Sequence, residues 1–353
     1  MQSGDQSEKT ELSELGEFGL IEHIAKQFKN RKESTIKGIG DDAAVLGKDS
    51  IKTVVSTDLL LEGIHFNLTY SPLQHLGYKA VVVNLSDICA MNAEPEQVTV
   101  SIGLSARFSL EDVDELYAGI RLACEGYGVD LVGGDTSTSL TGLTISVTAI
   151  GKGKEKELVY RDGGKRNELI CVSGDLGAAY LGLQILERER IVFEANPNIK
   201  PDLEGHDYLL QRQLKPEART DVLAWFRENK VKPTSMIDVS DGLASDVLHL
   251  CRQAKTGCAI YEDKIPIDPT AVAMADEFKM IPTICALNGG EDYELLFTAR
   301  QSDYNKISGC DLFSVIGHMT EAGAGCKLLS RDGVSVPLSA QGWNAFPGED
   351  HHQ

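Results

Sequence analysis

Apolar positions along the chain change spacing from segment to segment, and each spacing predicts an element. Over residues 76–91, Leu76, Ala80, Val83 and Asp87 recur at i, i+4, i+7 and i+11, the period of a helix. Asp87 falls on the same face as the apolar stripe, where a carboxylate is costly unless something pairs with it. Over 97–104, Val98, Val100, Ile102 and Leu104 alternate with polar residues, as in a half-buried strand. Residues 52–57, Lys-Thr-Val-Val-Ser-Thr, read as a buried strand delivering Asp58 to its end. Ser109 followed by Asp112 resembles a capping box and opens a helix to about residue 126. Residues 131–132 and 143–150 predict strands on either side of a Gly-Gly-Asp-Thr-Ser-Thr-Ser turn. Ahead of all these, a polar stretch over 1–16 is expected to be a disordered leader, and 18–28 a short amphipathic helix.

A Gly/Lys-rich connector over 151–156 precedes a second series of elements. Strands are predicted over 168–173, 236–239, 259–261, 293–299 and 313–316. Helices are predicted over 178–187, from Pro216 to about 229, and over 241–254 with Ser240 as the N-cap. Residues 188–215 are polar and irregular, and Arg331-Asp332-Gly333 marks a late hairpin. A chain of 353 residues can fill two cores. The expected division is therefore a leader over 1–16, a first domain over 17–152 and a second over 153–353.

Composition narrows the function classes. Hydrophobic residues make up 42% and charged residues 25%, an ordinary globular balance. The net charge of −19, with no Lys/Arg block to offset it, argues against a nucleic-acid or anionic-membrane surface. The eight cysteines are scattered without a C-x-x-C pair, and several sit in apolar segments. Buried free thiols, a reducing cytoplasm and no disulfide framework are expected from that pattern. The first residues lack the apolar core of a secretory signal, and no apolar run approaches the roughly 20 residues that span a bilayer.

The candidate chemistry lies in a series of acidic turns. GIGDDAAVL (38–46) holds Asp41 and Asp42, and Ser56-Thr57-Asp58 stands near Glu62 and His65. NLSDICAM (84–91) holds Asp87, Gly133-Gly134-Asp135-Thr136 joins two predicted strands, and MIDVSDGL (236–243) holds Asp238 and Asp241. Clustered carboxylates repel, so a fold that gathers them needs a cation between them. Oxygen-only ligands suit Mg²⁺ or Mn²⁺, and a partly hydrated Mg²⁺ commonly accompanies phosphate. GIGDDA matches the dinucleotide fingerprint formally, but two aspartates would then face a pyrophosphate. There is no G-x-x-x-x-G-K-[ST] loop. Gly133 and Gly134 would let phosphate oxygens approach backbone N–H groups. Gly289-Gly290-Glu291-Asp292, read on its own, is a solvent-facing turn.

In order, GIGDDAAVL, STDLLLEGIHF, YKAVVVNLSDICAM, LVGGDTS, VYRDGGK, IDVSDGLASD and LNGGEDYELLFT closely resemble the thiamine-monophosphate kinases. These belong to the superfamily of aminoimidazole ribonucleotide synthetase. The resemblance runs from about residue 18 to 346, and GGEDYEL and STDLLLEGIHF are its most specific strings. It implies a two-domain α/β fold whose first domain forms a barrel across a homodimer. It further implies ATP-dependent phosphorylation of thiamine monophosphate by direct transfer, without a phosphoenzyme or a catalytic side chain acting as base. By resemblance, Asp42, Ser56, Thr57, Asp58, Asp87, Asp135, Asp238 and Asp241 would hold Mg²⁺. Gly134, Asp135, Arg161 and Ser240 would hold ATP, while His65, Glu291 and Trp343 would contact thiamine monophosphate. The chain departs from the family pattern at Asn92 and at Arg166-Asn167-Glu168. The alternatives are another ATP-dependent enzyme of this superfamily and a non-catalytic nucleotide or metal sensor.

Overall fold

The computed structural model describes residues 12–340. Helix α1 (Leu12–Ala25) comes first among the described residues, so the helix expected over 18–28 starts earlier and overlaps the leader expected over 1–16, the rest of which lies outside the described residues. Leu and Glu, which dominate its first turn, are strong helix formers despite the segment's polarity.

The first half is a six-stranded sheet in the order β1-β2-β3-β6-β4-β5. Its strands are β1 (Thr35–Lys37), β2 (Ala44–Leu46), β3 (Ile51–Leu61), β4 (Glu94–Leu104), β5 (Asp130–Thr138) and β6 (Thr144–Lys154). Helices α2 (Leu73–Ala90) and α3 (Leu110–Tyr127) pack on each other, and α2 lies over β3, β4 and β6. The alternation on β4 buries Val98, Val100 and Ile102 as expected. The start of α3 is a full capping box: the Asp112 N–H donates to the Ser109 hydroxyl, and the Ser109 N–H donates to the Asp112 carboxylate.

Two strands differ from expectation. β3 pairs with β6 along its whole length, from Ile51 opposite Lys154 to Leu61 opposite Thr144. That ladder carries the polar Ser56-Thr57-Asp58 triplet, so Asp58 lies within the strand rather than at its end. Similarly, Gly-Gly-Asp-Thr-Ser-Thr is not a turn but part of β5, parallel to β4 from Gln97 opposite Asp130 to Leu104 opposite Thr138. The glycine at 134 belongs to this pairing. A Cβ there would stand 1.8 Å from the Val100 carbonyl oxygen, so close strand approach accounts for it without a phosphate.

The second half contains β7 (Leu169–Ser173), α4 (Ala178–Ala195), α5 (Asp207–Leu214), α6 (Thr220–Asn229), β8 (Ser235–Asp238), α7 (Leu243–Ala254) and β9 (Gly257–Tyr261). It continues with α8 (Pro269–Glu277), α9 (Pro282–Asn288), β10 (Leu295–Ala299), α10 (Tyr304–Ile307), β11 (Phe313–Thr320), β12 (Cys326–Leu329) and β13 (Ser335–Pro337). Its strands form a seven-stranded sheet, β13-β12-β9-β11-β7-β10-β8, antiparallel except for β9 with β12. Of the irregular excursion expected over 188–215, the start is the end of α4 and the close is α5, and only 196–206 between them are irregular. Arg190 pairs with Glu187 and Glu194 one turn to either side, which supports this polar stretch as helix. α6 begins at Thr220, after Pro216 rather than at it. α7 begins after Gly242, so Ser240 is not its N-cap; the Ser240 carbonyl instead accepts from the Glu291 N–H at 2.7 Å. The late hairpin joins β12 to β13.

One apolar core crosses both halves, running from the Val81–Val83 face of α2 to Phe226, Phe297 and Phe313. Helix α2 also packs against β8. Residues of the two halves thereby meet along one helix, and the candidate site lies there. Among the described residues, no helix is long and apolar enough to cross a membrane.

Candidate functional site

Three elements and a turn bring the carboxylates together. Asp42 comes from the turn before β2, Asp87 from the last turn of α2 and Asp238 from the end of β8. Their carboxylate oxygens lie within 4.8 Å of one another. Successive side chains of a strand point to opposite faces. On β3, the Ser56 hydroxyl donates to Asp87 and lies 3.1 Å from the Asp42 carbonyl oxygen. Thr57 faces the other way, where it is exposed, donates to the Val147 carbonyl and accepts from the Thr148 hydroxyl, both at 3.0 Å. Asp58 returns to the inner face, its N–H donating to the Asn84 side chain at 2.9 Å.

The electrostatics of this group are uncompensated. Burial first, then the charges of Asp58, Asp238 and Asp42, push the Asp87 carboxyl well above the usual carboxylate range. Asp238 is pushed up to about 7 by burial and then by Asp42, eased by the Ser86 hydroxyl that donates to it at 2.6 Å. Neighbouring Asp41 rises to about 6 for the same two reasons, although Lys37 stands 2.9 Å away. The one guanidinium in the group, Arg161, makes a bidentate pair with Asp42 at 2.6 and 3.1 Å. Burial opposes its charge, but Asp42 holds it firmly protonated. One arginine against Asp42, Asp87 and Asp238 leaves a deficit that a divalent cation would fill. The donors are all hard oxygens, which fit Mg²⁺. Asp241, in the loop after β8, adds a negative charge beside Asp246, which burial pushes well above its ordinary value.

A second group lies around Glu291. Its carboxylate pairs with the Lys79 ammonium at 2.9 Å and accepts from the Gln213 side chain at 2.8 Å. Lys79 is itself buried and donates to the Gln213 carbonyl at 3.0 Å. His65 accepts from the Leu61 N–H at 3.0 Å; burial lowers its pKa, and the charge of Glu291 acts against that fall. Glu291 has φ of +59°, a left-handed conformation that non-glycine residues rarely adopt. The acids that follow it are not a solvent-facing turn. Asp292 is buried and accepts from the Gly177 N–H at 2.8 Å, at the start of α4. Glu294 is buried between Arg212 and Arg219 and accepts from Ser173. The string Glu-Asp-Tyr-Glu thus aims one carboxylate toward Lys79 and anchors two others in the fold.

The structure therefore gathers Asp42, Ser56, Asp58, Asp87, Asp238 and Arg161, and separately His65 and Glu291. It leaves Thr57 on the opposite face of β3 and both Gly134 and Asp135 on the exposed strand β5. Trp343 lies outside the described residues. Lys79, Ser86 and Asn84 are contacts that the motif reading missed. Lys79 had a visible signal, a lone charge in the apolar run Tyr-Lys-Ala-Val-Val-Val.

A two-domain α/β fold with two mixed sheets and carboxylates converging from both halves defines a protein of the AIR synthase-related class. Residues 40–152 match the family model "AIR synthase related protein, N-terminal domain". The chain is 34% identical to the thiamine-monophosphate kinase of Aquifex aeolicus, over 95% of this chain and 99% of that protein. It is 30% identical to the enzyme of the same name from Bacillus subtilis, over 94% of this chain and all of that one. A solved structure described as "AaThiL complexed with AMPPCP and TMP" superposes with a TM-score of 0.81 at 33% identity, covering 96% of this chain and 100% of that one. The hydrogenase maturation protein HypE in complex with ATP, at 17% identity and a TM-score of 0.66, shares the fold. The chain belongs to the thiamine-monophosphate kinase family.

Proposed function

We propose that this protein transfers the terminal phosphoryl group of ATP to thiamine monophosphate, forming thiamine diphosphate. The observation that carries the reading is the group of buried Asp42 and Asp238 with half-buried Asp87, gathered without enough positive charge. Family membership supports the substrate pair. Mg²⁺ would be held by Asp42, Ser56, Asp58, Asp87 and Asp238, with Asp241 in the adjoining loop after β8. When bound, it supplies charge neutralisation for the phosphate oxygens.

This chain's own residues do the positioning. Asp87 is oriented by Ser56, and Asp238 by Ser86, so the carboxylates hold their places before any ligand arrives. Arg161, paired with Asp42, would hold the nucleotide together with Ser240. Lys79 would draw the phosphate of thiamine monophosphate, with Glu291, His65 and Trp343 arranged around the vitamin. The acceptor phosphate is ionised near neutral pH, so transfer in line requires no side-chain base. The exposed β5 edge supports a homodimer in which the first domains, 17–152, close a barrel and the second, 153–353, flank it. The reduced, mostly buried cysteines support a reducing compartment such as the cytoplasm.

The test is an assay of ATP with thiamine monophosphate, with and without Mg²⁺, followed by chromatography of the thiamine esters. Magnesium-dependent thiamine diphosphate is the expected product. Turnover of a purine precursor instead would favour the aminoimidazole ribonucleotide synthetase-like alternative. Nucleotide binding without any turnover would favour a sensor.

A further inference from the structure

A second group of metal-ligating side chains lies in the second domain, separate from the carboxylate cluster. Cys251 sits in the last turns of α7, Cys258 on β9 and Cys326 at the start of β12. β9 and β12 are parallel neighbours with Cys258 and Cys326 in register, so both side chains leave the sheet on the same face. The three sulfurs all lie within 4.8 Å of one another. Sulfurs bound about 2.3 Å from one shared ion stand about 4 Å apart, so side-chain adjustment alone would close the site.

The environment is selective. Cys251 and Cys258 are buried in the apolar core of the domain, while Cys326 is half-buried and offers a way in. Among the described residues, the group includes no imidazole and no carboxylate. Three soft donors without a hard one discriminate against Mg²⁺ and favour thiophilic ions. Packing alone accounts for a cysteine as a small apolar side chain, as at Cys89, Cys171 or Cys285. It gives no reason for three sulfurs from three elements to converge.

We propose that Cys251, Cys258 and Cys326 form a three-thiolate site for a thiophilic d¹⁰ cation, Cu(I) or Zn(II), that ties the β9–β12 edge to α7. Ligation replaces S–H bonds with S–metal bonds, releases the protons to solvent and oxidises nothing. Such a site would act in stability, because the unfolded chain does not present the three sulfurs together.

The experiment uses the full-length reduced protein with its carboxylate site saturated by Mg²⁺ and a non-hydrolysable ATP analogue. Co(II), Zn(II) and Cu(I) are titrated separately, with Co(II) as the spectroscopic probe. One equivalent of cobalt with thiolate-to-metal absorption is expected, displaced by Zn(II) or Cu(I), together with a rise in Tm. Whichever of those two ions displaces cobalt at the lower concentration identifies the preferred occupant. Cys326→Ser should lower the affinity at least tenfold, whereas Cys310→Ser, outside the group, should leave it unchanged. Should Cys326→Ser fail to fold, alkylation of the native protein decides: metal should shield Cys251, Cys258 and Cys326 and no other thiol. Absence of thiolate absorption with cobalt and of shielding with all three ions overturns the proposal, as does an unchanged signal in folded Cys326→Ser.

Discussion

Asp87 and Asp135 belong to the same sheet-and-helix layer, yet they stand in opposite physical settings. Asp87 is enclosed by α2, β3 and β8, and its charge is opposed by three neighbouring carboxylates. Asp135 lies on β5, every residue of which is exposed and which has a neighbour on one side only. The first is a group of carboxylates assembled by packing within one chain and short of positive charge. The second is an open edge that also displays Leu131 and Val132. Exposed strand edges with apolar residues invite pairing with another chain. The difference separates what a single copy does from what a second copy would add.

The most forceful test of the enclosed site is Asp87→Asn. We expect turnover to fall at least about a hundredfold, the scale seen when one electrostatic group of an active site is removed. The metal-free variant should keep or exceed the native Tm, because a carboxyl disfavoured by burial and like charges is replaced by a neutral isostere. Steady-state kinetics and calorimetry on the same preparation check both halves. A variant that loses stability in proportion to activity would make Asp87 a structural residue and dissolve the contrast with Asp135.

Lys79→Met should come next. A hydrogen bond to a charged group contributes about 1.5–3 kcal/mol, so KM for thiamine monophosphate should rise roughly tenfold or more while kcat changes less. KM for ATP should hold, since Lys79 pairs with Glu291 rather than with the carboxylate cluster. Equal rises in both constants would count against its assignment to the vitamin phosphate. Val132→Glu tests the open edge, with an expected loss of about tenfold, the equivalent of 1.4 kcal/mol. Sedimentation should show a shift toward monomer; unchanged mass and activity would remove β5 from any interface.

The carboxylate cluster was largely legible from the chain. Asp87 stood out because helical period put a charge on an apolar face, and packing does enclose it. Asp238 and Asp42 were found as acids beside glycine and serine at the ends of apolar runs. What escaped was whatever depends on pairing over distance. The Gly-Gly-Asp-Thr string has local turn chemistry, yet β4 supplies a ladder that overrides it. Ser240 has the composition of an N-cap, but its carbonyl is taken by Glu291 from a loop far along the chain. Thr57 was grouped with Ser56 and Asp58 by adjacency, whereas a strand sends alternate residues to opposite faces. Asp292 looked like a surface acid because its partner, the α4 N-terminus, is remote in sequence.

The smallest expected effect is also the one most specific to an enclosed, cation-free site. Asp238 titrates at about 7 in the folded protein and near its ordinary value of 3.8 once unfolded. Between those values the folded chain holds a proton that the unfolded chain has released, so stability declines as pH rises through the interval. Asp87, displaced in the same direction, extends the decline upward. Buried His249, lowered to about 4, acts oppositely, but its effect is confined to pH below roughly 6.5, the ordinary histidine value. Metal-free protein should therefore melt several degrees lower at pH 8 than at pH 6.5. Saturating Mg²⁺ should flatten that difference, because the bound cation keeps the same carboxylates ionised in the folded state. Asp135→Asn should leave the slope untouched, whereas Asp238→Asn should reduce it. Asp292, outside the cluster, is also pushed up to about 7 by burial and keeps its own share of the slope; a slope that neither Mg²⁺ nor Asp238→Asn reduces would leave the cluster without its electrostatic signature.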